Sequence, residues 1–275
     1  MLSTAPEVLS AQLQQQYREK GFVLGPRVLS DEQADALSEE VLRVIASRDD
    51  ANAPKPDLLS NLGKPPQEIW QIVNIWCASD AFRRLMENPI IVESARQLLG
   101  GNEMYIWHDQ IQYKPAAKGG TNWWHQDSIY WGVHAVKDAQ ITAWVALDDA
   151  DTDNGCMWMI PGSHQWADQI AYLHAKREEL GLNRFLELTS DHHGKPVQPV
   201  ACPVKRGHVH FHHPLTWHGS PANNSGRPRR AIALHYMNER VTFDAKGGHV
   251  LKPHIKVEHG QPVRGQRFPR LWPAA

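Results

Sequence analysis

The sequence predicts an antiparallel β core, a jelly roll or a barrel, behind a helical front end. Apolar residues follow helical spacing through most of the first hundred residues. After Gly101 the chain changes to short aromatic and β-branched segments, several of which alternate apolar with polar residues. Because helices do not regularly separate these segments, a parallel βαβ sheet and a TIM barrel are disfavoured.

Two helices are predicted at the start of the chain. Apolar residues at every fourth position from Leu9 to Tyr17 predict a first helix that stops at Gly21. Ser30 followed by Gln33 resembles a capping box and predicts the start of a second amphipathic helix.

The next part of the front end divides into an irregular and a helical stretch. Residues 51–66 contain four prolines and a glycine, and we interpret them as lacking regular structure. Residues 79–99 again follow helical spacing, with an interruption at Pro89. These elements predict a helical support over about residues 1–100.

Strands are predicted throughout the core, at about residues 101–245, with a helical insertion at about 165–200. We expect the whole chain, 1–275, to form a single domain, since no repeat or long linker divides it. The segments interpreted as strands are MYIWHDQIQY, QITAWVALDD, GCMWMIPGSH, GHVHFHH and RAIALHYM.

Composition excludes some classes of function and favours one kind of chemistry. With 29 Lys and Arg against 30 Asp and Glu, the chain lacks the basic excess of a dedicated nucleic-acid binder. No membrane span, signal peptide or disulfide framework is evident, so we expect a soluble, cytoplasmic protein. Sixteen histidines favour a metal site or an acid–base site.

The first candidate for such a site is His125-Gln126-Asp127. In an extended strand, residues two apart point to the same face, so an imidazole and a carboxylate could converge on one ion. In a chain with this many histidines, however, one His-x-Asp pair is expected by chance.

A second histidine-rich segment strengthens the candidate. Residues 207–218, GHVHFHHPLTWH, hold five histidines, and His218 would complete two histidines and one carboxylate. That set suits non-haem Fe(II) with three open positions, although Zn would also accept these ligands. For the other strand histidines we favour core packing or hydrogen bonding around the site.

Three arginines follow His218, and one of them could fix a carboxylate bidentately. Arg227 is better explained as a solvated edge residue. Ser220 could donate to the same carboxylate, while Gln112 and Lys114 share one face of a predicted strand and could line the same cavity.

Three separated blocks now carry a family resemblance. WWHQDSIYW, TAWVALDDADTDNGCMWMIPGSH and HGSPANNSGRPRRAIALHYM, in this order over about residues 104–240, resemble the phytanoyl-CoA hydroxylase-like branch of the Fe(II)/2-oxoglutarate dioxygenases. The resemblance implies a double-stranded β-helix, the cupin-like jelly roll. It assigns the residue blocks 154–156 and 160–164 mainly to a structural turn, and Asp148 and Asp149 are better explained as turn-capping acids.

The resemblance also implies roles for individual residues. Metal-binding and catalytic roles fall on His125, Asp127 and His218, and cosubstrate-binding roles fall on Gln112, Trp144, Ser220 and Arg229. Trp131 matches an aromatic residue near the same pocket. Relatives that halogenate replace the metal carboxylate with a small residue, so Asp127 implies hydroxylation or another oxidation, not halogenation.

The implied reaction hydroxylates an unactivated C–H bond of a small molecule and releases succinate and CO2. It needs Fe(II), 2-oxoglutarate and O2, with ascorbate as a reductant in vitro, and we expect a monomer or homodimer without membrane or nucleic-acid partners. Two alternatives stay open: a cupin-like metalloenzyme without 2-oxoglutarate, in which Arg229 is dispensable, and a non-catalytic jelly-roll binding protein.

The substrate is the least defined part of the prediction. We expect the pocket walls in residues 54–75, 128–136 and 165–200, which contain Trp70, Trp76, Trp131 and Trp166. Most of these tryptophans are explained by core packing, although an aromatic pocket could suit an apolar or quaternary ammonium substrate. Because no basic cluster matches a CoA diphosphate, a small free metabolite is favoured.

Overall fold

A computed structural model describes residues 8–188, 190–192 and 194–273; both ends of the predicted 1–275 domain extend beyond these residues. The helices are α1 Ala11–Lys20, α2 Asp31–Ala46, α3 Asp80–Met86, α4 Pro89–Leu99 and α5 Ile170–Leu180, with 3-10 turns at Ile75–Cys77, Ser128–Tyr130, Ser163–Trp166, Leu182–Glu187 and Lys252–His254. The strands are β1 Phe22–Arg27, β2 Leu58–Asn61, β3 Trp70–Val73, β4 Met104–Lys114, β5 Asn122–His125, β6 Gln140–Ala146, β7 Met157–Met159, β8 Ser190–His192, β9 Lys195–Val197, β10 Val200–Cys202, β11 His208–His212, β12 His218–Ser220, β13 Arg229–Asn238 and β14 Arg270–Trp272.

Two antiparallel sheets form the core, as the jelly-roll prediction requires. The major sheet has the order β1-β11-β6-β13-β4-β3-β2, and β14 also pairs with β4. The minor sheet has the order β10-β7-β12-β5. Neither sheet closes on itself, and neighbours in a sheet are often distant in the chain, as in the β13–β4 pair.

The predicted front-end helices are confirmed at their termini. Gly21 ends α1 in the left-handed conformation with φ 82°, and Ser30 and Gln33 form both hydrogen bonds of the capping box at α2. Pro89 occupies the first turn of α4, where its missing N–H costs nothing.

The front end is less helical than the sequence suggested. β1, β2 and β3 all lie within the first hundred residues and extend the major sheet. β2 falls inside the proline-rich segment that we interpreted as irregular, so that interpretation is wrong for Leu58–Asn61. Its short strand is held by antiparallel pairing with β3, a tertiary contact that local composition does not reveal.

Separate apolar clusters fill the spaces between the layers. The largest packs the front-end helices on one face of the major sheet, through residues such as Leu37, Phe82 and Ile111. Another lies between the two sheets around Trp144 and Met157. The predicted insertion contains α5 and covers the minor sheet through a third cluster. The site described next lies between the sheets, where this packing is interrupted by polar side chains.

The three cysteines are free thiols. Within the described ranges, no helix has both the length and the apolar character needed to cross a membrane.

Candidate active site

Two histidines and one aspartate meet at adjacent strands of the minor sheet. His125 ends β5 and His218 begins β12, and the two residues are directly paired across these strands. Asp127 Oδ1 lies 3.7 Å from His125 Nε2 and 3.4 Å from His218 Nε2. One donor atom from each residue lies within 4.8 Å of the other two, so the three can converge on a single metal ion.

Backbone hydrogen bonds set both imidazoles in the tautomer that a metal requires. His125 Nδ1–H donates to the Trp123 carbonyl at 2.7 Å, and His218 Nδ1–H donates to the Thr216 carbonyl at 2.9 Å. Each ring therefore turns an Nε2 lone pair toward the carboxylate. This arrangement, with the second nitrogen anchored to a carbonyl, is typical of metal-binding histidines.

The other oxygen of Asp127 is held by side chains from the major sheet. Asp127 Oδ2 accepts hydrogen bonds from Thr142 Oγ1 at 2.9 Å and from His212 Nε2 at 3.2 Å. His235 Nδ1–H in turn donates to Thr142 Oγ1 at 2.8 Å, which directs the threonine hydroxyl hydrogen at the carboxylate. Only Oδ1 thus remains for a metal ion. Neither Thr142 nor His235 belongs to a motif from which this role could be predicted.

The charges at this site are coupled. Burial works against ionisation of Asp127, but His218 and the hydrogen bonds to the carboxylate outweigh it and hold its pKa well below the usual range. Burial likewise opposes protonation of His218, while the Asp127 carboxylate raises its pKa. Burial lowers the pKa of His125 to about 4, with His218 adding to the effect. One carboxylate and two imidazoles therefore form a preorganised cation site.

His125 and Asp127 converge for a different reason from the one that we predicted. Strand β5 ends at His125, and Asp127 has helical dihedrals, φ −62° and ψ −54°, at the start of the 3-10 turn Ser128–Tyr130. The turn therefore directs the Asp127 carboxylate toward His125. The alternation of side chains along an extended strand does not explain this contact. Gln126 fixes this turn by donating to the carbonyls of Ala167 and Leu215, each at 2.8 Å.

A second unusual feature lies where β13 begins. Arg229 is fully buried and pairs directly with Lys114 across β13 and β4, so two buried cations face each other. Lys114 Nζ donates to Ser220 Oγ at 2.6 Å and to two backbone carbonyls, Ser220 O and Pro221 O. Arg229 Nη2 donates to the same Ser220 Oγ at 3.2 Å.

No described carboxylate lies within ion-pair distance of either cation. Arg229 Nη1 reaches only the Gln112 carbonyl, at 3.4 Å, and the buried Arg229 Nε has no hydrogen-bond partner. Burial lowers the pKa of Arg229 to about 10 and that of Lys114 well below its usual range. Uncompensated buried charges are costly, so this arrangement favours an anionic ligand.

The remaining predicted residues lie around the same space. The Trp144 ring centroid is 5.6 Å from the Arg229 guanidinium carbon, and Trp144, Gln112 and Ser220 line a narrow inner pocket that reaches His125, Asp127 and His218. The structure thus brings together all seven residues named for the site.

The inner pocket continues outward into a larger cavity of ≈460 Å³. As predicted, residues 54–75, 128–136 and the insertion all contribute to its walls. Of the four tryptophans considered, Trp131 lines the cavity, whereas Trp70, Trp76 and Trp166 do not; Trp123 and Trp124, which we did not consider, do.

Two acids after β6 have structural roles, as expected. Asp148 forms a bidentate pair with Arg230, and Asp149 accepts a hydrogen bond from the Arg206 backbone amide at 2.8 Å. Arg227 is exposed and pairs with Asp151.

Comparison with known proteins agrees with this geometry. The family model described as Phytanoyl-CoA dioxygenase (PhyH) matches residues 17–231. The ectoine dioxygenase of Halomonas elongata is 30% identical over 238 residues, covering 80% of this chain and 68% of the relative. That of Bordetella bronchiseptica is 29% identical over 250 residues, covering 86% and 78%. The peroxisomal phytanoyl-CoA dioxygenase of Rattus norvegicus is 25% identical over 239 residues, covering 83% and 68%.

Solved structures share the fold. The non-heme alpha ketoglutarate dependent carbocyclase SnoK from nogalamycin biosynthesis superposes with a TM-score of 0.75 at 24% identity, covering 97% of this chain and 99% of SnoK. EctD from S. alaskensis, solved with 2-oxoglutarate and 5-hydroxyectoine, gives a TM-score of 0.68 at 23% identity, covering 94% and 87%.

Proposed function

Because this chain belongs to the phytanoyl-CoA dioxygenase (PhyH) family and is a 2-oxoglutarate-dependent oxygenase, we propose that it hydroxylates an unactivated C–H bond of a small molecule. The observation that carries the proposal is the pairing of two features in one connected pocket. The three-residue cation site lines this pocket, and so does Ser220, whose hydroxyl oxygen accepts a hydrogen bond from a buried arginine without an acidic partner.

His125, Asp127 and His218 would hold Fe(II). Their two imidazoles, neutral once a metal displaces any Nε2 proton, and their single carboxylate match the donor set of non-haem iron oxygenases, which leaves three positions for other ligands. The hydrogen bonds from Thr142 and His212 to Asp127 Oδ2 would keep this carboxylate monodentate through Oδ1.

Arg229 and Ser220 would bind the distal carboxylate of 2-oxoglutarate. Ser220 Oγ already accepts from Lys114 and Arg229, so both oxygen lone pairs are engaged and its own hydrogen is left to donate into the pocket. Trp144 and Gln112 would flank the cosubstrate and limit water in the inner pocket. This need for an anion is the feature that favours the oxygenase over a cupin-like metalloenzyme without 2-oxoglutarate.

When bound, Fe(II) with 2-oxoglutarate and O2 supplies the oxidising chemistry: one oxygen atom enters the substrate C–H bond and the other leaves in succinate, with release of CO2. The protein contributes binding, orientation and exclusion of water. The presence of Asp127 at the metal-carboxylate position favours hydroxylation or another oxidation over halogenation.

The test is succinate formation from 2-oxoglutarate with Fe(II) and ascorbate, on a substrate panel that includes ectoine and an acyl-CoA thioester. Asp127→Ala should lose turnover and iron retention in equilibrium dialysis, whereas Asp151→Ala, at an exposed turn, should keep both. Failure of wild type to bind 2-oxoglutarate, together with no succinate across the panel, would refute the function. Unchanged iron retention in Asp127→Ala would refute the metal assignment.

A further inference from the structure

The outer cavity has a one-sided charge pattern. Asp127 is the only acid in its described lining, and that carboxylate already belongs to the cation site. Arg177 is the only lysine or arginine in the same described lining. Burial lowers the pKa of His249, on the inner wall, to about 4, so this histidine adds no positive charge to the lining. A bound cation would therefore find no free counter-charge, whereas an anion would find one.

Arg177 differs from Lys176 and Arg184, two other cations of the insertion. Lys176 pairs with Glu179 at 2.7 Å, and Arg184 pairs with Glu187. The Arg177 side chain makes no hydrogen bond or ion pair with any residue that the structure describes, although two glutamates follow it on α5. Arg177 instead contributes to the cavity lining, as does Tyr130.

A contact with the metal-site segment holds this part of α5 over the cavity. Tyr130, three residues after Asp127, places its hydroxyl 3.2 Å from His174 Nε2. His174 and Arg177 are one helical turn apart, so both lie on the face of α5 that lines the cavity mouth.

The opposite wall carries unused amides. The Gln71 and Gln110 side chains from β3 and β4 line the cavity and have no hydrogen-bond partner among the described residues. The buried Asn122 Oδ1 is also without one. Polar groups of this kind, set among Leu58, Val73 and aromatic rings, fix the orientation of a small ligand.

From these features we infer that the substrate is a small organic acid or zwitterion, whose carboxylate binds Arg177 at the cavity mouth while its other end reaches the metal site. This inference rests on the proposed function, because the bound molecule is a substrate only if the protein is an oxygenase that acts on it. The single cation does not match the several phosphates of a CoA thioester, and ≈460 Å³ lies in the lower part of the range for small-molecule sites.

The test compares acids with their uncharged amides under anaerobic conditions, with Fe(II) and saturating 2-oxoglutarate, so that no turnover occurs. Thermal shift and titration calorimetry would use 3-phenylpropionate, N-acetylleucine and their primary amides, with ectoine, choline and butyryl-CoA as further probes. We expect acids to bind more tightly than their amides, and Arg177→Gln to weaken acids about 10-fold and amides less than about twofold. Arg177→Lys should restore part of the affinity.

Lys176→Gln is the matched control, because it removes a positive charge from the same helix at a side chain outside the cavity lining. Equal effects of Arg177→Gln and Lys176→Gln, equal binding of acids and amides, or a panel in which no acid binds would each overturn the inference. The result is separable from the proposed function. Acid binding that depends on Arg177 in a chain that never consumes 2-oxoglutarate would leave the site standing and refute the oxygenase activity.

Discussion

Two neighbouring arginines on β13 face different surroundings, and the difference separates a structural ion pair from a ligand site. Arg230 donates through Nε and Nη2 to both oxygens of Asp148, at 2.8 and 2.7 Å, and its backbone amide donates to the same carboxylate. Arg229 points to the other face, as strand alternation requires, and is buried beside a second cation.

The two arginine side chains also differ in how far their positive charge is compensated within the protein. Burial opposes the charge of Arg230, but Asp148 outweighs it and raises the pKa of the guanidinium. For Arg229, Asp148 does not outweigh burial, and the pKa falls to about 10. The Arg230–Asp148 ion pair stabilises the fold without a ligand, whereas the buried charge of Arg229 is compensated only when an anion binds.

The largest expected effect is on cosubstrate binding by Arg229→Met. The substitution removes a buried charge with poor compensation, so the free energy of unfolding of the ligand-free protein should stay unchanged or rise. The Kd for 2-oxoglutarate should increase by about 100-fold, equivalent to ~2.7 kcal/mol. Calorimetry of 2-oxoglutarate with Fe(II) under anaerobic conditions measures the affinity, and urea unfolding measures stability. An unchanged Kd would contradict the assignment of Arg229.

The second prediction applies the same two measurements, stability and 2-oxoglutarate affinity, to the Arg230–Asp148 ion pair. Asp148→Asn should lower the free energy of unfolding by about 1–3 kcal/mol, because it weakens a partly buried bidentate pair. Its Kd for 2-oxoglutarate should change by less than about twofold, since Asp148 lies outside the pocket lining. If Asp148→Asn lost affinity for 2-oxoglutarate without losing stability, Arg230 could not be distinguished from Arg229 as a structural ion pair.

The residues that converge in the candidate site could be predicted from the sequence more fully than their surroundings. His125, Asp127, His218 and Arg229 could be named because the motif blocks keep them at recognisable spacings. The cross-strand pairing of Lys114 with Arg229 could not, because it depends on the register between β4 and β13, which are more than a hundred residues apart.

The same limit explains what was missed around Asp127. Thr142 and His235 come from β6 and β13, and the hydrogen bonds that link His235 through Thr142 to the carboxylate depend on the strand order of the major sheet. Short strands such as β2 were missed for a related reason: their stability comes from pairing, and their local sequence carries proline-rich turn signals.

The third prediction tests whether Lys114 acts through Ser220. Lys114→Met and Ser220→Ala should each weaken 2-oxoglutarate binding by about 10-fold, or ~1.4 kcal/mol. The double variant should lose little more than either single one, because both remove the same directed hydroxyl donor. With pyruvate, which lacks the distal carboxylate, none of these variants should differ from wild type. Additive losses with 2-oxoglutarate, or equal losses with pyruvate, would assign Lys114 a general structural role.

The smallest effect is expected at the third arginine of the segment. Arg227 is half exposed and pairs with Asp151, which is also largely solvated, so water replaces most of what the pair provides. Arg227→Gln should therefore change neither the urea midpoint nor the Kd for 2-oxoglutarate beyond error, although it removes the same charge as Arg229→Gln two positions later. Side-by-side measurement of the two variants in low and high salt controls for net charge. If Arg227→Gln weakened cosubstrate binding as strongly as Arg229→Gln, long-range electrostatic attraction of 2-oxoglutarate would explain both effects. A buried contact with Arg229 would then not be required.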